Sequence, residues 1–351
     1  MFRAPEPGFY ERRGYYYPKC RPCGVPRFRC LTCGTGFSRQ TFRSDYRDHK
    51  PHTNAPLIRY LESGLGLRQV ARLLPLARKS AELKFRKMAR ALVLLQRNLL
   101  EDLPVGSEFE MDELVTFEEC RIAKPLTLPV IIEANSLFVV AAKPEPIKPF
   151  AKRTARNQAL IERAEALEGP RTDRSQLGIL RVLKTVALRT KAHEAILLRT
   201  DLKSAYPALA ERVFGKERLV HERYSSRLPR KPGNPIFRIN LTAAIARDLN
   251  GRLRRRSWLH SKKARFLERQ LGIFLTYRNF VRRRVNRDKR TPAMALGWLP
   301  RPLSTEEMLG WRQDWGKLSG HPLSDRARAI GEVQEERAEE ARERAAEAAA
   351  S

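Results

Sequence analysis

Apolar positions recur at helical spacing across residues 54–100: Leu57, Ile58 and Leu61, then Val70, Ala71, Leu73 and Leu74, then Leu83, Met88, Leu92 and Leu95. Breaks at Gly64-Leu65-Gly66 and at Pro75 divide this stretch into a short helix, a glycine turn, a second helix, a tight turn near Leu76-Ala77 and a third helix from about Lys79. That is the outline of a helix-turn-helix, and equally of a plain three-helix bundle with a basic solvated face. From Glu108 the period changes to two. SEFEMDELVTFEE alternates, and LPVIIEANSLFVVAAKP supplies two more β-branched runs around the Glu133–Ser136 turn, so three strands in a meander are expected. A basic, irregular stretch follows over about 143–172. After it come a helix near Ser175–Arg189, a fourth strand in AILLRTD, another strand around Arg218–Tyr224 and a long helical region from about Leu241.

The expected class is therefore α+β and multidomain. Limits are set at 1–50 for a cysteine-rich module, 51–102 for the helical segment, 105–300 for the mixed sheet with its basic insertion, and 301–351 for a linker and tail. The tail from Asp325 is almost wholly Ala, Glu and Arg and net acidic, which reads as a solvated helix or a disordered end.

Charge narrows the partner. Sixty-nine Lys and Arg against 39 Asp and Glu leave a net +30 and a pI near 10.6, with a mean hydropathy of −0.51. A surplus of this size calls for a polyanion, with nucleic acid ahead of an anionic membrane surface. No run approaches the about 18 apolar residues of a membrane span, and the first residues carry no apolar signal segment. A cytoplasmic, nucleoid-associated protein is the expectation. At the start of the third helix, Arg78 and Lys79, with Lys84 one turn on, are the candidates for reaching a major groove. Arg254, Arg255, Arg256, Lys262 and Lys263 form a second basic run, beside Trp258.

Four of the five cysteines fall in two CxxC pairs, Cys20/Cys23 and Cys30/Cys33, separated by six residues. Each pair sets two thiolates on one knuckle. Joined by a short hairpin, the two knuckles would supply the four soft ligands of one closed structural zinc site. Two disulfides are the alternative, and Cys120 reads as a plain buried thiol. Arg27, Arg29, Arg39, Arg43 and Arg47 are interleaved with Phe28, Phe37, Phe42 and Tyr46, which are either anchors on DNA or the small core such a module needs.

The order three strands, helix, strand, helix, strand, helix is that of an RNase H-like mixed sheet. In that arrangement Asp112 on the first strand and Asp201 at the end of the fourth meet at one edge of the sheet. Paired carboxylates hold divalent hard cations, which activate an attacking oxygen and stabilise a leaving one in phosphodiester displacement.

The ribbon with RFRCLTCGTGFSRQTF, the helix-turn-helix outline, Asp112-Glu113, TDLKSAYPAL around Asp201, and the block from NPIFRINLTAAIARDL through TYRNFVRR together resemble DDE-type transposases of bacterial insertion sequences. The resemblance covers about residues 14–290. It implies an RNase H-like catalytic domain, terminal inverted repeats and target DNA as partners, a homo-oligomer on DNA, and Mg2+ or Mn2+ as cofactor. The implied reaction is strand cleavage at element ends followed by strand transfer. Asp112 and Asp201 match the first two acids of the family triad. At the place of the third the chain has Asn234 and Asn240 instead of Glu. Asn240 is the leading candidate, with Asp248 two turns on as a source of charge and Glu268 as the other contender. A helix N-cap is the structural alternative for Asn240. His221, placed as in related proteins, would contact the scissile phosphate. A chain that has lost its third acid and only binds DNA is the rival reading, and an RNA-binding basic protein is a third.

Overall fold

The computed structural model describes residues 10–312 except Pro22, Arg39, Glu101 and Arg256. It is an α+β protein with two sheets, and among the described residues no helix is long and apolar enough to cross a membrane. Backbone contacts divide the described chain into two units, one of residues 10–56, 82–100 and 305–312, the other of 57–81 and 102–304. The segment 51–102 is thus shared between them and does not form a unit of its own.

In the first unit β1 (Tyr10–Tyr16), β2 (Val25–Cys30) and β3 (Gly36–Ser38) make an antiparallel sheet with β2 in the middle. Its aromatic residues pack on one another: Tyr10–Phe28 ring centroids lie 4.9 Å apart, Phe28–Phe37 5.4 Å and Phe37–Phe42 6.0 Å. These half-buried rings make the contacts that the core of a small module needs. After a 3-10 turn (Pro51–Thr53), α1 (Asn54–Leu61), α2 (Leu67–Leu73) and α3 (Arg78–Leu99) follow with the expected breaks. The stretch expected to be linker from 301 contains an element that packs on this module. Far along the chain lies α10 (Thr305–Gly310), where the Leu309 carbonyl accepts a 2.9 Å hydrogen bond from the buried Ser44 hydroxyl.

The second unit is built on β4 (Glu108–Phe117), β5 (Pro125–Glu133), β6 (Phe138–Ala142), the short β7 (Glu145–Pro146), β8 (Ile196–Asp201) and β9 (Leu219–Tyr224). The order is β6-β5-β4-β8-β9 with β7 beside β5. The first three strands are antiparallel neighbours, and β8 and β9 run parallel to β4. Every residue of β5 is buried, as a central strand covered on both faces requires.

One face carries α5 (Ser175–Ala187) and α6 (Tyr206–Phe214); the other carries α7 (Phe237–Leu249) and α8 (Ala264–Phe280). Leu114, Leu126, Leu128, Val130 and Ile132 of the sheet form one core with Ile239, Ala243 and Ala246 of α7 and Leu271 and Phe274 of α8. Each buried Leu, Ile, Val or Phe among them stabilises by roughly 1.5–3 kcal/mol. The long helical region expected from Leu241 is broken between Leu249 and Ala264, and α9 (Pro292–Ala295) follows α8. The stretch expected to be irregular contains α4 (Ala155–Glu168), started by Thr154 accepting from the Asn157 amide; none of its residues is buried.

Just after α1, the Glu62 carboxyl is buried and accepts a 3.1 Å hydrogen bond from Gln270 on α8. Burial, which outweighs that bond and Arg282, pushes it well above the usual carboxylate range. An acid whose folded pKa is raised favours folding at low pH and loses that contribution as pH rises through the folded value. Glu62→Gln keeps the hydrogen bond without the charge. It should raise the thermal midpoint above neutral pH, and the gain should vanish below about pH 4, the range where an unperturbed Glu is protonated.

Candidate functional site

All five cysteines are free thiols in the structure. The six residues between the CxxC pairs do not turn as a hairpin. They run into β2, which bonds to β1 on one side and β3 on the other, so Cys20 and Cys23 precede the strand and Cys30 and Cys33 lie at its far end. At about 3.3 Å per residue the pairs stand roughly 17 Å apart, whereas thiolates sharing one zinc each sit about 2.3 Å from it. One CxxC pair thus stands at each end of β2. Hydrogen bonding with Thr35 and Cys30 lowers the exposed Cys33 thiol from its usual value. Cys33→Ser should change unfolding stability by no more than about 0.5 kcal/mol, the usual range for surface substitutions. A loss of several kcal/mol would mean that the four sulfurs do close on one ion.

Arg78 and Lys79 are exposed in the first turn of α3, as a groove-reading role needs. Lys84 is not available for one. Its ammonium is buried and donates to both Asp48 oxygens (2.6 and 2.5 Å), the Lys50 carbonyl (2.8 Å) and Asn54 Oδ1 (2.9 Å). It holds the module together.

The two aspartates come together. The parallel β4–β8 ladder pairs Glu108 with Leu197, Phe109 with Leu198 and Glu110 with Arg199. Two residues further, past the end of the ladder, the same register sets Asp112 opposite Asp201 and on the same face, with neighbouring strands about 4.8 Å apart. Each carboxylate is steadied by a backbone amide: Glu113 N–H to Asp112 at 2.7 Å and Lys203 N–H to Asp201 at 3.0 Å. Burial, and then the negative charges of Asp201 and Glu113, push the Asp112 carboxyl above the usual range in spite of that hydrogen bond and Arg230. Glu113 lines the cleft as well, and its carboxylate accepts from Thr127, Lys203 and Tyr206.

Both aspartates open into a cleft of about 670 Å³ whose other walls include Asn240 and Arg247 of α7, and Arg121, Arg230, Arg254 and Arg255. Asn240 sits inside the first turn of α7 and is not its cap; Ile236 holds that position. Its amide nitrogen donates to the Ile236 carbonyl at 2.8 Å, so its oxygen is the atom able to ligate. The remaining candidates lie elsewhere. Glu268, on α8, is ion-paired with Lys143 and does not line the cleft.

Asp248 is exposed, because eight residues along a helix is an 80° offset, whereas the seventh returns to the same face and brings Arg247 there. His221 pairs with Leu198 in the ladder, which puts it on the face away from Asp201. Its Nε2 lies 2.9 Å from the Thr200 hydroxyl, and burial and Arg223 lower it from its usual value. Lys262 and Lys263 are exposed before α8 and outside the cleft; Arg256 and the tail from 313 lie outside the described residues.

Sequence reasoning missed Arg121, Arg230 and Arg247. Only Arg247 carried a signal, its spacing of seven from Asn240. The loop with Arg254 and Arg255 is seated against the α1–α2 turn, where Gly64 and Gly251 approach so closely that a Cβ on Gly251 would stand 2.6 Å from the Gly64 carbonyl oxygen.

Among the described residues no group of three or more His, Cys, Asp or Glu is gathered to hold a metal. The donors at the cleft, two carboxylates and an amide oxygen, are hard oxygen ligands. They fit a magnesium-like cation, which takes one or two carboxylates and completes its shell with water and phosphate. Set against protein-family models and against curated proteins, the chain matches none.

Proposed function

We propose that this protein is a DNA transposase that cuts and rejoins DNA at the cleft between β4, β8 and α7. The observation that carries the reading is the meeting of Asp112 and Asp201 on neighbouring parallel strands in an arginine-lined cleft. The strand order β6-β5-β4-β8-β9, antiparallel then parallel, supports an RNase H-like domain, and α2, the four-residue turn and α3 support a DNA-reading helix-turn-helix. A divalent cation on Asp112 and Asp201, with Asn240 as a neutral third ligand, would activate the attacking oxygen and stabilise the leaving one. Arg121, Arg230, Arg254 and Arg255 bind backbone phosphates and orient the strand.

In cleavage a water oxygen bonds to phosphorus as the P–O3′ bond breaks. The 3′ oxygen leaves with the electron pair and takes a proton from solvent. In transfer the freed 3′-hydroxyl bonds to a target phosphorus as another P–O3′ bond breaks, so bonds balance and no oxidant is needed.

Asn240, where an acid is expected, favours a second reading: a DNA-binding regulator that no longer cuts. The test is to incubate the protein with plasmid DNA carrying the sequences that flank its own gene. Nicking at fixed positions that needs Mg2+ or Mn2+ is expected. Binding without nicking under any divalent cation would install the regulator. Tighter binding to structured RNA than to duplex DNA at physiological salt would remove both.

A further inference from the structure

The face of α7 that lines the cleft runs Asn240, Ala243, Ala244, Arg247. Where three acids would gather two cations, this helix offers a neutral amide and, two turns on, a positive guanidinium. Of the other described acids, Glu113 lines the cleft but is committed to Thr127, Lys203 and Tyr206, Glu110 accepts from the Ile239 amide and is not part of the cleft wall, Glu268 is ion-paired with Lys143, and Asp248 is exposed off the cleft. Arg247 is half-buried, and among the described residues it makes no hydrogen bond or ion pair. Burial, Arg255 and Arg230 disfavour its charge, and Asp112 favours it. Its electrostatic partner is thus one of the two metal-binding acids. Two divalent cations beside two carboxylates would meet Arg247 and Arg230 as uncompensated like charges, a repulsion that low-dielectric walls strengthen.

Resting on the proposed cleavage reading, we propose that the cleft takes a single divalent cation, on Asp112 and Asp201, and that Arg247 replaces the second. Its planar fork grips the non-bridging oxygens of the scissile phosphate, and it supplies positive charge as the phosphorus becomes five-coordinate.

The test counts Mn2+ on the full-length protein by electron paramagnetic resonance, taking as cleft-bound only the ions that Asp201→Asn fails to hold. One ion is expected. Two would overturn this inference and leave the cleavage reading standing; none would overturn both. Arg247→Ala should bind Mn2+ at least as tightly as wild type, because a neighbouring cation is gone, and that binding also shows that the cleft is folded. Its nicking rate should fall by about a hundredfold, the scale of losing one charge-stabilising group. Arg247→Lys, which keeps the charge without the fork, should recover part of the rate. Weakened Mn2+ binding in Arg247→Ala, or an unchanged nicking rate, would overturn the proposal.

Discussion

Asp112→Asn is expected to abolish metal-dependent nicking, by at least about a thousandfold, while making the metal-free protein more stable. The two effects have one cause. Asp112 is half-buried on the same face as Asp201, and loss of solvent and that negative charge push its carboxyl up. A raised acid favours the folded state at low pH and loses that contribution as pH rises through the folded value. Removing the charge therefore raises the melting temperature at neutral and alkaline pH, and the difference closes below about pH 4, the ordinary Asp range. A carboxylate kept for structure alone would do the opposite. Affinity for DNA should change little, since Arg121, Arg230, Arg254 and Arg255 remain. Thermal unfolding across pH, beside a nicking assay, separates the outcomes; loss of stability together with loss of DNA binding would show Asp112 to be structural.

Lys84→Met should destabilise the protein by about 3–5 kcal/mol, the cost of leaving a buried charge without its partner. Lys84 and Asp48 side chains are each 8% exposed, and the ammonium has four oxygen acceptors around it. Burial pushes the Asp48 carboxyl up, but the hydrogen bond from Lys84, the Lys50 amide and the ion pair outweigh it, leaving a net depression. A depressed acid stabilises above its unfolded pKa and loses that contribution as pH falls through its folded value. The wild-type advantage over Lys84→Met should therefore shrink in acid. Denaturant unfolding measures it. While the variant is still folded its DNA affinity should match wild type. By contrast, Arg78→Ala and Lys79→Ala should each weaken binding and flatten its salt dependence by about 0.9 for every phosphate no longer neutralised.

The contrast between Lys84 and Arg78 shows how far sequence periodicity reaches and where it stops. Strand β4 was legible in its alternation and β8 in an apolar run that ends in an acid, and the aspartates these strands carry are what the cleft holds. Breaks at Gly64 and Pro75 placed three helices within a residue or two. Lys84 was misread because composition made the start of α3 a basic face, although 84 falls on the stripe of Ala81, Phe85 and Met88 that is buried. His221 and Asp201 are separated by strand parity, which becomes readable only once the β8–β9 register is fixed. The six-residue separation of the cysteine pairs suggested a short hairpin, but pairing on both sides made the segment a central strand. Arg121 and Arg230 lie on loops, whose positions no period encodes.

The central claim, that Asp112 and Asp201 form a site for DNA strand chemistry, is tested most directly by strand transfer. A duplex oligonucleotide carrying the DNA end from beside the gene, with its 3′-hydroxyl already exposed, is incubated with a target plasmid and Mn2+. Wild-type protein should join the two covalently; Asp112→Asn and Asp201→Asn should bind the oligonucleotide and join nothing. Joining by either variant at the wild-type rate, or none by wild type under any divalent cation while the oligonucleotide is bound, would contradict the claim.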